Sequence, residues 1–283
     1  MNSKINQRID ELRDDRLHGA GWLSRQAINI LNLAIKESRA ETADDLITEI
    51  TMIASEIKKS RPSMISISNY ISRFAYQITL YSKDQKQLHS LKNFALATGD
   101  ELIKLSEGTA MQAANHSADI IDDKDIIMTC SYSSIICNTF ETARNRGVIF
   151  HVIIAESRYK NNAYGEISAE QIRQYKIPVS LIGDEDIDKH VYEANKAMVG
   201  ADSILADGSL INGTPTYILA QSAAAAEIPF YSVCETVKFD PDHNKDNPLE
   251  LEPGFDIIAP NMLTGIITEA GMIQPCQVTD YLK

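Results

Sequence analysis

The sequence predicts an α/β protein in two parts, and three observations predict it. Up to about Ser82, apolar residues recur at the i, i+3/i+4 spacing of amphipathic helices. From Ile120 onward, short apolar runs of strand length alternate with amphipathic segments, the pattern of a parallel sheet covered on both faces. No Pro/Gly-rich linker separates the two patterns, so a long helix is expected to join them. The fold class is therefore an all-helical N-terminal domain, residues 1–118, followed by a Rossmann-like parallel-sheet domain, residues 119–283.

In the first domain, Ile5, Ile9, Leu12 and Leu17 open an amphipathic pattern that His18-Gly19-Ala20-Gly21 interrupts. Trp22, Leu23, Ala27, Ile30, Leu31, Ala34 and Ile35 form the next stripe. A helix from Thr42 to Lys59 places Leu46, Ile50, Ile53, Ala54 and Ile57 on one face. Ser60-Arg61-Pro62-Ser63 breaks it, Ile65 to Tyr81 resumes, and Asp84 to Asn115 continues at helical spacing. In the second domain, strands are expected at 125–130, 148–155, 179–182, 197–206, 229–234 and 255–259. Helices are expected at 133–146, 168–175, 186–195, from Pro215, and at 262–269. Thr214 suits an N-cap there and Pro215 the first helical position.

The stretch VGADSILADGSLINGTPTYILA, Val199 to Ala220, is the centre of the second domain. Asp202 is the only charge in the apolar run from Ala197 to Ala206, and an unpaired buried charge is costly, so it is read as serving a ligand. It faces a helix N-terminus across a glycine-containing loop, where exposed N–H groups favour an anion. Other strand ends face the same crevice. The first ends at Cys130-Ser131-Tyr132-Ser133, whose hydroxyls can hold phosphate or cap the next helix. The second ends at Glu156-Ser157-Arg158, where Arg158 fits a bidentate anion contact or a surface pair with Glu156. Asn212 follows close behind Asp202, and Lys238 lies just past a later strand. His151 sits mid-strand and reads as a core histidine. Gly19 and Gly21 allow close approach of a ligand or a neighbouring helix.

A formal net charge of −12 argues against broad nucleic-acid binding. No run reaches the ~18 apolar residues of a spanning helix. The N-terminus MNSKINQRIDEL lacks a secretory pattern, so a cytoplasmic protein is expected. Cys130, Cys137, Cys234 and Cys276 have no metal-ligand spacing and read as free thiols. GxGxxG is absent, leaving a dinucleotide site unsupported. Neither a metal nor a cofactor is expected.

A set of motifs carries a family resemblance. They are HGAG at His18, SRPS at Ser60, MTCSYS at Met128, ESR at Glu156, GADSILADGSLIN at Gly200, TPTY at Thr214, IPFYSVCETVKFDP at Ile228 and TGIITEAGMI at Thr264. In this order they resemble the family of the alpha, beta and delta subunits of translation initiation factor 2B, which also holds ribose-1,5-bisphosphate isomerase and methylthioribose-1-phosphate isomerase. The resemblance implies oligomerisation, at least to a dimer, through the C-terminal domain. It also implies a sugar phosphate or nucleoside monophosphate bound in a cleft between the domains, and a translation initiation factor as a further partner.

In the isomerases of that family, the aspartate of the GAD motif and a cysteine at the first strand end interconvert aldose and ketose. Asp202 matches the aspartate. The isomerases read Thr-His-Cys-x-Ser at the strand end, where this chain reads Thr129-Cys130-Ser131-Tyr132-Ser133. Ser131 thus takes the cysteine position, and a hydroxyl is a far weaker acid than a thiol. Cys130 points to the opposite face of the strand and cannot simply replace it. The family's Asn-Lys is Asn212-Gly213 here, and its Arg-Gly-Ala is His18-Gly19-Ala20. Arg61 and Arg158 match arginines expected near phosphate. The expectation is a non-catalytic, initiation-factor-2B-like regulatory binder, with His18, Gly19, Ala20, Ser133, Asn212 and Lys238 also contacting ligand. The alternative is an isomerase of the ribose-1,5-bisphosphate type using Asp202, Ser131 and Cys130. Both require Asp202, Arg61 and Arg158 to converge on one cleft.

Overall fold

The computed structural model describes residues 3–243 and 251–282. The chain divides into two compact units, Met1–Gly108 and Thr109–Lys283. Helices dominate the first: α1 (Ser3–Asp14), α2 (Ala20–Glu37), α3 (Ala43–Ser60), α4 (Ile65–Asp84) and most of α5 (Leu88–Ala118), which runs through the boundary. Each buries the stripe its spacing marks: Ile5, Ile9 and Leu12 on α1; Leu46, Ile50, Ile53 and Ile57 on α3. Burying one such side chain is worth about 1.5–3 kcal/mol. α3 also shows why it starts and stops where it does. Thr42 Oγ1 accepts the Asp45 amide at 3.1 Å, Asp44 and Asp45 occupy the first turn, and Lys58 and Lys59 the last, each sign matching the helix dipole.

The second unit contains β1 (Ile126–Thr129), α6 (Ser134–Asn145), β2 (His151–Ala155), a short hairpin β3 (Arg158–Tyr159) and β4 (Asn162–Ala163), α7 (Tyr164–Gln174) and β5 (Val179–Ile182). The four-residue α8 (Ile187–His190) follows, then β6 (Lys196–Val199), β7 (Ser203–Leu205), β8 (Leu210–Gly213), α9 (Thr216–Ala225), β9 (Phe230–Val233), β10 (Phe239–Asp240), β11 (Phe255–Ile258), β12 (Gly265–Thr268) and β13 (Gly271–Ile273). The main sheet has the order β13-β12-β9-β6-β1-β2-β5, parallel except for β13. Its strands alternate between two cores. Met128, Ile153, Val199 and Phe230 meet Leu219, Ala220 and Ala223 of α9 on one face. Ile127, Val152, Ile154 and Met198 meet Phe140 of α6 and Ile172 of α7 on the other.

The chain walks outward from β1 through β2 to β5, then returns to the far side of β1 with β6, β9 and β12. This is the doubly wound order, and its reversal point lies between β1 and β6, where such sheets bind ligands.

Several expectations need correction. The run 197–206 is not one strand: β6 ends at Val199, and the chain leaves the main sheet at Gly200–Asp202 to start β7. β7 belongs to a second sheet of order β10-β7-β8-β11, which also takes the run at 255–259 that sequence alternation placed in the parallel sheet. The helix expected at 262–269 is strand β12, because the β-branched Ile-Ile-Thr run pairs with both β9 and β13. The helix expected at 186–195 shrinks to α8 between two 3-10 turns. α9 begins at Thr216 after a cis Thr214–Pro215 bond, so Thr214 is not its N-cap.

Candidate functional site

The reversal point is built from the end of β1. Cys130 turns into the core beneath α9, and Ser131 then adopts φ +62°, which swings the chain toward α6. Its neighbours hold this uncommon backbone in place. The Ser131 amide donates to Ser157 Oγ at 2.6 Å, and its carbonyl accepts from Ser168 Oγ of α7 at 2.8 Å. Ser157 lies just past β2, and its amide donates to Asp184 Oδ1 at 2.6 Å, beyond β5. Three neighbouring strand ends are thus tied together by short side chains.

Two glycines bring the opposing segments close. A Cβ at Gly200 would lie 2.3 Å from Ser133 Oγ, and one at Gly213 would lie 2.9 Å from Ser131 Oγ. Ser133 holds the N-cap position of α6, yet its side chain makes no capping hydrogen bond among the described residues. The hydroxyl lies against Gly200 instead. Ser131 and Ser133 therefore bracket the segment that carries Asp202.

Asp202 is half-buried, and its amide donates to Ile211 O at 2.9 Å. The segments after β6 and β9 run side by side between two parallel ladders, Val199 opposite Ser232 and Ile204 opposite Phe239. The extra residues on the β9 side coil into a 3-10 turn at Thr236–Lys238. This brings the Lys238 ammonium into the field of Asp202. Lys238 is only 5% exposed, and its Nζ lies 3.3 Å from Glu235 Oε2, itself 3% exposed. Burial works against its charge, but Glu235, Cys234 and Asp202 outweigh that and raise its pKa, so the ammonium stays charged.

Asn212 Nδ2 donates to Thr216 Oγ1 at 2.9 Å, and Thr216 Oγ1 donates to Gly213 O at 2.6 Å. Cys130 Sγ also meets Thr216 Oγ1, at 3.3 Å. Burial pushes the Cys130 thiol up to about 12, the Thr216 contact offsetting only part of it. The N-terminus of α9 is not the open anion site the sequence suggested. Asp256 of β11 already accepts the Tyr217 amide at 2.9 Å, so a carboxylate of the chain occupies it.

Arg158 is exposed and engaged with carboxylates: its Nε lies 2.5 Å from Glu156 and its Nη2 3.1 Å from Glu166. The remaining candidates lie in the helical unit. His18, Gly19 and Ala20 form the turn into α2, and Arg61 ends α3, buried, with Nη1 donating to the Asp15 carbonyl at 2.8 Å. His18 Nδ1 meets Asp15 Oδ2 at 2.8 Å.

The structure thus gathers Cys130, Ser131, Ser133, Asp202, Asn212 and Lys238 around one reversal point, and His18, Gly19, Ala20 and Arg61 around Asp15. Sequence reasoning missed Asp15, Ser168, Asp184, Thr216 and Asp256 as members of these networks. Only Thr216 carried a signal, as the hydroxyl after Thr214-Pro215. Among the described residues, no group of three or more His, Cys, Asp or Glu side chains is placed to hold a metal, and no helix is long and apolar enough to cross a membrane.

Comparison with known proteins follows the same outline. The model of the initiation factor 2 subunit family, IF-2B, matches residues 16–254. An eIF-2B subunit 2-like protein of Pyrococcus furiosus is 30% identical, over 97% of this chain and 98% of that one. The ribose 1,5-bisphosphate isomerase of the same organism is 27% identical, over 97% of this chain and 91% of that one. Among solved structures, the translation initiation factor eIF-2B of Pyrococcus horikoshii OT3 superposes with a TM-score of 0.85 at 27% identity, covering 97% of this chain and 98% of that one.

Proposed function

Because the chain belongs to the initiation factor 2 subunit family, we propose that it binds a sugar phosphate or nucleoside monophosphate as a regulatory ligand and does not turn it over. The ligand sits at the reversal point between β1 and β6. The Ser131 and Ser133 hydroxyls and the first amides of α6 take its phosphate, and Asp202 takes a hydroxyl of its sugar.

One observation carries this reading. Two of the positions that depart from the isomerase pattern, Ser131 and Gly213, are neighbours: a Cβ at Gly213 would lie 2.9 Å from Ser131 Oγ. The missing thiol and the missing lysine therefore fall at neighbouring positions of the same strand-end site. Cys130 does not restore the chemistry. Its thiol lies in the core, bonded to Thr216 and held protonated by burial, so it is a poor proton donor to a ligand.

Isomerisation is the second reading. The retained Asp202, with the buried Lys238–Glu235 pair beside it, favours that reading, as does the likeness to named isomerases. Incubation with ribose 1,5-bisphosphate separates the two. Saturable binding of that ester or of AMP, with no ribulose 1,5-bisphosphate formed, is the expected result. Turnover that Asp202→Asn abolishes would overturn it.

The reading includes self-association. α9 carries no Asp, Glu, Lys, Arg or His and exposes Tyr217, Ile218, Gln221, Ala224 and Ala225, next to Ile257 of β11. In a chain of net charge −12, a second copy meets least repulsion on such a face. Light scattering of Ile218→Asp is expected to show monomers where the parent chain shows dimers.

A further inference from the structure

Lys238 belongs to the strand-end site, but part of what holds it there comes from another strand. Its turn, Thr236–Lys238, is a single 3-10 turn between β9 and β10, and Glu235 at the N-cap makes no side-chain capping bond among the described residues. The first amide of such a turn has no partner within it and must find one elsewhere. Glu269, which follows β12, supplies it. Glu269 Oε2 accepts the Thr236 amide at 2.9 Å, and Glu269 Oε1 accepts the Thr236 hydroxyl. One side chain thus takes both donors of a single residue.

Glu269 is itself firmly placed. β12 and β9 are parallel neighbours, with Ile267 opposite Val233, and the Ile267 carbonyl accepts the Cys234 amide at 3.0 Å. Just past this ladder, Thr268 Oγ1 donates to the Gly271 carbonyl at 3.0 Å and accepts the Ala270 amide at 3.1 Å, closing the turn that carries Glu269. His116 of α5 donates from Nδ1 to the Thr268 carbonyl at 2.9 Å. The Thr236–Lys238 turn has no such framework. It closes through the Lys238 amide on Glu235 O at 2.9 Å, and one 3-10 turn has little stability of its own. Its last residue carries an ammonium that is 5% exposed, 3.3 Å from Glu235 Oε2 and in the field of Asp202. The hydration such a charge gives up on burial draws it back toward water whenever the turn is released.

We propose that Glu269 is a positioning residue for the strand-end site: by holding the Thr236–Lys238 turn, it keeps the Lys238 ammonium beside Asp202. This rests on the reading of the chain as a phosphate-ligand binder. Asp202 places an acid in a site that takes an anion, and a phosphate ester is repelled by it unless a cation lies close. Lys238 offsets that repulsion. Glu269 acts through Lys238 and makes no contact with the ligand.

The test has a part that needs no ligand. Acetic anhydride labels accessible amines, and mass spectrometry of the digested protein gives the rate at Lys238. Lys196, at the opposite end of the sheet with Nζ 2.6 Å from Asp125, is the reference for general loosening. Glu269→Ala is expected to raise the Lys238 rate at least about fivefold relative to Lys196. Glu269→Gln is expected to leave the ratio unchanged, because its amide oxygen still accepts the Thr236 amide and its nitrogen donates to the Thr236 hydroxyl. The second part measures the dissociation constants of AMP and of ribose 1,5-bisphosphate. It compares the parent chain with a neutral-pair variant, Glu235→Gln with Lys238→Met, each with and without Glu269→Ala. Both charges are removed together so that neither is left buried alone. Glu269→Ala should weaken binding about tenfold in the parent and less than about twofold in the neutral-pair variant. Glu269→Gln should bind within about twofold of the parent. Equal losses in the two backgrounds, a Gln variant as weak as the Ala variant, or a labelling ratio that Glu269→Ala leaves unchanged would overturn the inference. If neither ester binds the parent, the functional reading fails, and the labelling ratio still decides whether Glu269 holds Lys238 in place.

Discussion

Two corners of the α/β unit look alike in sequence and differ in structure. At each, a strand ends in small and hydroxylic residues and a helix begins: β1 runs into α6 through Ser131 and Ser133, and β8 into α9 through Gly213 and Thr216. The α9 corner is closed by the chain itself. Asp256 takes the Tyr217 amide, Thr216 bonds to Gly213 O, and Asn212 and Cys130 bond to Thr216. The α6 corner is tied from behind, through Ser157 and Ser168, while the Ser133 hydroxyl leaves the helix end uncapped. A helix N-terminus is thus an anion site only where no carboxylate of the chain already occupies it. That condition depends on β11, about forty residues further along, and no local motif reports it.

The comparison can be broken most severely from behind the α6 corner. A Cβ at Gly165 would lie 1.9 Å from the Ala155 carbonyl oxygen, which is backbone and cannot swing aside. Gly165→Ala should cost about 3 kcal/mol by denaturant unfolding and weaken phosphate-ligand binding, since α7 carries Ser168. A loss under about 0.5 kcal/mol would show that this support is not rigid.

A smaller effect tests what lies under the α9 corner. Cys130 has its pKa raised by burial from 9.0 to about 12. The folded state favours the protonated thiol, so its contribution is full below pH 9.0 and is lost as pH rises through about 12. Between pH 8 and 10.5 the parent chain should lose about 1–2 kcal/mol more stability than Cys130→Ala. Identical pH slopes would mean that the thiol is not buried as described.

The smallest effects separate the corners directly. Asp256→Ala removes a helix-end partner and should cost about 1 kcal/mol without changing AMP affinity. Ser133→Ala should leave stability within about 0.5 kcal/mol and weaken AMP binding about tenfold. The reverse pattern, with affinity following Asp256, would exchange the roles of the two corners.

Much of the fold was legible in the sequence. Helical stripes such as Leu46, Ile50, Ile53 and Ile57 and buried runs such as Ile126–Thr129 follow from periodicity, which reports burial directly. The division of the 197–206 run was not legible, because an apolar stretch reads the same whether one sheet or two receive it. The helix expected at 262–269 failed for a related reason: Gly-Ile-Ile-Thr is too short for period to tell helix from strand, and pairing with β9 and β13 decided it. Asp202, Ser131 and Ser133 could be named because they end strands flanking the reversal point. Their supports could not, since Ser157, Ser168 and Asp184 act through partners distant in sequence. The likeness to the family identified the departures at Ser131 and Gly213; only the coordinates show that they are neighbours.

The most direct test of the account is amide chemical-shift mapping of the protein titrated with AMP and with ribose 1,5-bisphosphate. The account predicts the largest shifts at Ser131 to Ile135 and at Gly200 to Asp202, with Tyr217 unmoved. Shifts centred on Tyr217 and Asp256, or none on either side of the β1–β6 reversal point, would contradict it.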